Sequence, residues 1–265
     1  MLFGKGNFTI IFVVMETFRY FVEFSYCGTP FHGWQRQPNA YSIQEIMETS
    51  LHLLYKKASA ITAAGRTDTG VHARKMVAHF DLPEPIENFQ HFIFRYNQIL
   101  PKEIAIHQIK KVSKEAHARF DALSRTYEYH ISHSKSVFYH GLQYSLFQPL
   151  NIEAMNKAAL MLLKYEDFEC FSKSHTDVKT FICKLTQAKW TNVNDGYVFT
   201  ITANRFLRNM VRAIVGTLVE IGLNKKKCED IASIIESKNR SLAGYSVPAQ
   251  GLFLTDIQYP ESIYM

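Results

Sequence analysis

A chain of 265 residues with 47% hydrophobic content can bury a substantial core and has room for one large domain or two smaller ones; two halves are expected. Its 30 Lys and Arg against 24 Asp and Glu leave a net charge of +6, which suits an anionic partner such as RNA and is also within what solubility alone asks. Four scattered cysteines with no Cys-x-x-Cys pair argue for free thiols in a reducing cytoplasm rather than a disulfide framework, and the apolar run 8–15 is too short to span a bilayer.

Residues 1–14 match no element. No small-residue cleavage site follows them, so a signal peptide is the weaker reading, and Met15 offers an alternative start. Residues 17–26 alternate, with Tyr20, Val22, Phe24 and Tyr26 on one face of a strand. A helix opens at Ser42, where Glu45 completes a Ser-x-x-Glu capping box and Ile43, Ile46, Met47, Leu51 and Leu54 form the apolar stripe. Short apolar strands at 60–64 and 76–80 bracket the run Gly65-Arg66-Thr67-Asp68-Thr69-Gly70-Val71-His72. A mixed strand and helix unit follows, and the more polar segments 100–103 and 110–115 are expected to link the halves.

The second half opens with a strand at 125–132, then a helix capped by Asn151 with Ile152, Met155, Ala159 and Leu162 inward. Alternating runs at 185–193 and 197–203 meet through Asn194-Asp195-Gly196 as a hairpin. A helix at 205–221 carries Phe206, Met210, Ile214 and Leu218 in helical spacing, with Gly222 placed to end it. On that helix Arg205, Arg208 and Arg212 recur at i, i+3 and i+7 and so share one stripe, either an exposed basic face or a row of phosphate contacts. Lys225-Lys226-Lys227 reads as a solvated helix start. His130, His133 and His140 are the tightest histidine group, but strand residues three apart face opposite ways, so no metal site is expected.

The segment between Gly65 and Gly70 is the richest in chemistry. Two glycines bend the chain and leave Arg66 and Asp68 projecting from a turn mounted on sheet. By residue type alone Asp68 is first of all a turn former; the extended pattern Gly65-Arg66-Thr67-Asp68-x-Gly70-Val71-His72-Ala73 promotes it, because it resembles the signature of the tRNA pseudouridine synthase A family. The resemblance continues in family order through Tyr26-Cys27-Gly28-Thr29-Pro30-Phe31-His32-Gly33-Trp34-Gln35-Arg36-Gln37-Pro38, the helix start Ser42-Ile43-Gln44-Glu45, Arg125-Thr126-Tyr127-Glu128-Tyr129, Phe206-Leu207-Arg208-Asn209-Met210-Val211-Arg212, and Gly251-Leu252-Phe253-Leu254. Cys27 stands where the family usually has Asp, and Thr69 where Ala is common; the family assigns the chemistry to neither position.

The resemblance implies an α+β fold of two similar ferredoxin-like halves, with mainly antiparallel sheets flanked by helices and an active-site cleft between them. We divide the chain on this basis into an unplaced extension 1–14, a half at 15–112 carrying the Asp68 loop, and a half at 113–265. It further implies a cytoplasmic, homodimeric isomerase acting without a cofactor on uridines 38–40 of the tRNA anticodon stem-loop, with Asp68 as nucleophile. Tyr127 would contact the base, Arg66 would assist its extrusion, and Arg212 would pair with the carboxylate; Arg205 and Arg208 are left to contact RNA.

The residues agree with that chemistry. A carboxylate can attack or stabilise an electron-poor ribose carbon and leave again, addition to the base and removal of a ribose proton being the other roles open to Asp68, and one placed in a pocket needs a nearby guanidinium to favour its charged form. No Gly-x-Gly-x-x-Gly loop, phosphate-binding Gly-Lys-Ser/Thr loop or zinc-deaminase signature is present. Two other readings compete: a non-catalytic RNA-binding protein of the same fold, with Asp68 a turn residue, and a glycoside hydrolase, which would want a second carboxylate beside the bond.

Overall fold

The computed structural model describes residues 17–173 and 178–265; the expectations for residues 1–14 and for Met15 lie outside the described residues. Strands and helices alternate through the chain: β1 (Phe18–Tyr26), α1 (Ile43–Leu54), β2 (Thr62–Ala63), β3 (His72–Leu82), α2 (Phe89–Ile99), β4 (Ile104–Lys111), β5 (Ser124–Ser132), β6 (Tyr144–Ser145), α3 (Ile152–Leu162), β7 (Leu185–Val193), β8 (Gly196–Ala203), α4 (Met210–Gly222), α5 (Asp230–Glu236) and β9 (Leu252–Gln258). The strands form one sheet in the order β4-β1-β3-β9-β5-β8-β7, with β2 beside β3 and β6 beside β5. Neighbours are antiparallel except at β3–β9 and β5–β6. Among the described residues no helix is long and apolar enough to cross a membrane.

Local signals explain most of these elements. Tyr20, Val22, Phe24 and Tyr26 of β1 are buried, as their alternation predicts. Ser42 caps α1 by accepting the Glu45 N–H at 3.4 Å, and Asn151 caps α3 by accepting that of Ala154 at 3.0 Å. An asparagine on a helix also holds each edge strand. Asn97 of α2 donates to the Ile106 carbonyl and accepts its N–H, and Asn156 of α3 does the same to Trp190. Each side chain thereby satisfies two backbone groups that no further strand could pair.

Several expectations need correction. Lys110 and Lys111 belong to β4 rather than to a connection, because backbone pairing with Tyr20 and Phe21 carries the strand through them. They are at home on a sheet edge, where charge discourages further pairing. The helix expected at 205–221 begins only at Met210. Asn209 has φ of +68°, which no helix tolerates and asparagine adopts readily, so Arg205 and Arg208 lie before the helix and the three arginines share no helical stripe. Nor does Gly222 end α4 by a left-handed turn. It is the last helical residue, packed against Met155, and the positive φ falls at Asn224. Lys225 to Lys227 likewise precede α5 instead of opening it; the Lys227 N–H bonds to the Asp230 carboxylate at 2.8 Å just ahead of the helix.

Two apolar clusters pack against the sheet, one for each part of the chain. The first gathers β1, α1, β3, α2 and β4, and takes in Leu254, Ile257 and Tyr259 from the far end of the chain. The second gathers β5, α3, β7, β8, α4 and α5, and takes in Val71 from the loop before β3. Tyr127 packs against both. α4 is the axis of the second cluster: eleven of its thirteen residues are buried, leaving Arg212 and Glu220 as the polar exceptions.

A buried histidine makes stability pH-dependent. His79 Nδ1 accepts the Ala118 N–H at 3.1 Å, and burial first, then Arg19 and His117, push its pKa down to about 4. The unfolded chain binds this proton below about pH 6.5, where the folded one does not. Stability is therefore full above that pH and falls as pH drops from 6.5 toward 4, by up to about 3 kcal/mol from this group. Urea midpoints at pH 7.5 and 5.0 should show the fall, and His79→Asn, which keeps an acceptor and cannot titrate, should reduce it, leaving the smaller part that His72 and His117, also lowered by burial, contribute.

Candidate active site at the seam of the sheet

The loop 64–71 is held from three sides. On its N-terminal flank the segment after β1 packs directly against it: the Trp34 N–H donates to the Thr67 carbonyl at 3.1 Å, the Tyr26 and Thr67 hydroxyls meet at 2.9 Å, and the Gly28 N–H donates to His72 Nδ1 at 3.0 Å. Gly33 is required by this contact. Its φ is +84°, and a Cβ there would lie 2.7 Å from the Thr67 carbonyl oxygen. Gly33→Ala should therefore displace the backbone carrying Asp68 and destabilise the fold by about 1–3 kcal/mol, as overpacking does, which a lowered urea midpoint would show.

On the C-terminal flank, His72 and Ala73 open β3 and pair in parallel with Phe253 and Leu254 of β9. The His72 ring is buried, stacks on Phe253 at 4.6 Å, and has its pKa lowered by burial. The third support is Arg125, at the start of β5. Its guanidinium donates to four carbonyls, those of Ala64 (2.9 Å), Arg119 (2.6 Å), Ala122 (3.0 Å) and Asn204 (2.7 Å). One side chain thus joins the entry of the Asp68 loop to the connection before β5 and to the end of β8.

Within the loop, the Asp68 carbonyl accepts the Val71 N–H at 3.1 Å, a tight turn completed by Gly70 at φ +77°. The carboxylate faces two guanidiniums. Arg212 Nη1 lies 3.5 Å from one oxygen and Arg208 Nε 3.6 Å from the other, ion-pair distances that are too long for hydrogen bonds. The acid is counter-charged, and among the described residues no hydrogen bond occupies its carboxylate oxygens. Arg212 cannot drift, since its Nε donates to the Val247 carbonyl at 2.7 Å. Arg208 is the more exposed of the two.

Asp68, Arg212 and Arg208 are therefore together, whereas Arg205 turns away to the Thr180 carbonyl at 3.2 Å. Arg66 is exposed, two residues before the acid on the same loop. Tyr127 lies half-buried on β5 with its ring edge-on to Phe206 at 5.2 Å. Burial pushes its phenol up to about 12, with Arg125 lowering and Asp68 raising it, so at neutral pH it is a hydrogen-bond donor and a poor base. Sequence reasoning left Arg208 to RNA and overlooked Phe206 and Arg125 at this site; the signal for Arg125 was its place in the Arg-x-Tyr-x-Tyr strand. His130 is tied to Glu128 at 3.0 Å, and among the described residues no three metal-binding side chains converge.

Known proteins match this chain over most of its length. A family model described as tRNA pseudouridine synthase matches residues 158–260. Proteins named tRNA pseudouridine synthase A from Parabacteroides distasonis and Bacteroides fragilis are 50% and 48% identical, the alignments covering 93% and 94% of this chain and 98% and 100% of theirs. One of the same name from Bacillus pumilus is 36% identical over 89% of this chain and 96% of its own.

Proposed function

From the premise that the chain belongs to the tRNA pseudouridine synthase A family, and is thus an isomerase that converts uridine to pseudouridine in tRNA, we propose how its residues divide that work and where on tRNA it is done. The reaction breaks the C1′–N1 bond, turns the base and joins C1′ to C5; C5 loses a proton, N1 gains one, and no oxidant or reductant enters. Asp68 is the nucleophile, Arg212 and Arg208 supply the positive charge that holds it in place, and Tyr127, braced by Phe206, contacts the extruded uracil. Arg66 assists the extrusion. Arg205 meets RNA at the periphery. The observation that carries this reading is the Asp68 carboxylate set between two guanidiniums at 3.5 and 3.6 Å with no hydrogen bond from either.

Residues 15–112 and 113–265 are read as two ferredoxin-like halves. The support is a common strand order: β4-β1-β3-β2 and β9-β5-β8-β7 both run fourth, first, third, second, with the helices in matching places. The cleft between such halves is where Asp68, from one, meets Arg212, from the other. The uridines acted on are those at positions 38–40 of the anticodon stem-loop, by a homodimer in the cytoplasm. Tritium release from tRNA labelled with [5-³H]uridine tests the core of this reading. Release with mapped product at 38–40 is expected; tight tRNA binding with no release would overturn it in favour of an RNA-binding role.

A further inference from the structure

A second concavity lies beside the candidate active site, across a single strap of chain. It has a volume of about 300 Å³ and is lined by Lys135, Tyr139, His140 and Tyr144 from the segment between β5 and α3, and by Pro248 and Gln250. The strap is residues 247–250. On one side the Val247 carbonyl holds Arg212 against Asp68, and Ala249 lies against Gly70; on the other, Pro248 and Gln250 form the chamber wall. The two sites are thus separated by this one segment of chain.

The lining has the chemistry of a nucleotide site. It carries Lys135 and His140, and none of its residues is acidic. Above it the segment exposes Val137, Phe138 and Tyr139, Phe138 being 87% accessible, and among the described residues neither Phe138 nor Tyr139 is stacked on another ring. The base of the segment is nonetheless anchored. β6 pairs with β5, the Leu146 N–H donates to the Ser132 carbonyl at 2.8 Å, and Gln250 Nε2 donates to the Gln143 carbonyl at 3.1 Å. Bare aromatic faces on a fixed mount, next to a lysine and lined by no carboxylate, bind unpaired bases by stacking and their phosphates by charge and hydrogen bonds.

We propose that this chamber and the aromatic tip over it are a second nucleotide subsite. It holds one unpaired nucleotide of the tRNA substrate close along the strand from the target uridine, with the base stacked on Tyr139 or Phe138 and its phosphate met by Lys135 and His140. The inference rests on tRNA being the substrate that enters at Asp68. It makes the subsite a contributor to affinity and to the choice of uridine, with no part in bond breaking.

The test compares wild type with Phe138→Ala/Tyr139→Ala and with Lys135→Ala, measuring the Kd for tRNA at several salt concentrations and the single-turnover rate of tritium release at saturating enzyme. Loss of a stacking base should raise Kd by about tenfold or more, with the saturated rate within about twofold of wild type. Lys135→Ala should reduce the salt slope by about one, and Phe138→Trp/Tyr139→Trp should restore affinity. A Kd within twofold of wild type with an unchanged salt slope would overturn the subsite, as would a change in oligomeric state alone, which would make the tip a protein interface. Wild type that binds tRNA without releasing tritium would instead sink the catalytic reading, and the binding data would still decide the subsite.

Discussion

Asp68→Asn is expected to abolish tritium release, by at least about a thousandfold, while leaving the Kd for tRNA within about threefold. The first half follows from what the amide removes. Asparagine has nearly the shape of aspartate and can keep the turn bond between residues 68 and 71, which uses the backbone carbonyl. In the role proposed for Asp68 it has no anionic oxygen with which to attack, and loss of a nucleophile costs several kcal/mol of transition-state stabilisation. The second half follows from placement. An anionic side chain has no attraction for phosphate to lose, and Arg212 stays oriented by the Val247 carbonyl without the carboxylate. Two arginines left without their counter-ion attract RNA slightly more, so affinity moves toward tighter binding. Kinetics on one labelled tRNA with a parallel filter-binding series checks both; substantial turnover by the variant would remove Asp68 from the chemistry.

Arg125→Met should give the largest loss of stability among the substitutions considered, with lost activity as its corollary. The guanidinium serves four carbonyls on segments from three parts of the chain. Hydrogen bonds from a charged donor contribute about 1.5–3 kcal/mol each where buried, and water reaches several of these, so a net loss of about 3 kcal/mol is expected. For a chain of this size that lowers Tm by about 6–12 °C. Arg125→Lys should recover only part of it, since an ammonium cannot present the planar fork that spans Ala64 and Asn204. Below its lowered Tm the methionine variant should still turn over more slowly, because the Ala64 carbonyl at the entry of the Asp68 loop is released. Differential scanning calorimetry beside single-turnover rates separates the two effects: a variant as stable as wild type would show that the four bonds merely replace water.

The sequence by itself determined what depends on neighbours a few residues away. The alternation of Tyr20, Val22, Phe24 and Tyr26, the caps at Ser42 and Asn151, the 185–203 hairpin and the Asp68 turn between glycines are local, and each stands where its pattern puts it. Motif identity carried Asp68 and Arg212 as well, and the structure brings them within 3.5 Å. Only the tertiary structure decided what depends on segments distant in sequence. Phe206 and Met210 fit one helical period, yet Leu207 is buried in the core and Asn209 takes a left-handed backbone, so the helix starts late and Arg208 swings from an imagined stripe to the carboxylate. Helical spacing records which residues would share a face; it does not record where the backbone leaves the helix. The Arg125 clamp and the insertion of β9 between β3 and β5 were equally invisible. Both satisfy backbone groups of strands and loops that meet only after the two clusters have packed, and unpaired carbonyls and strand edges leave no periodic trace in composition.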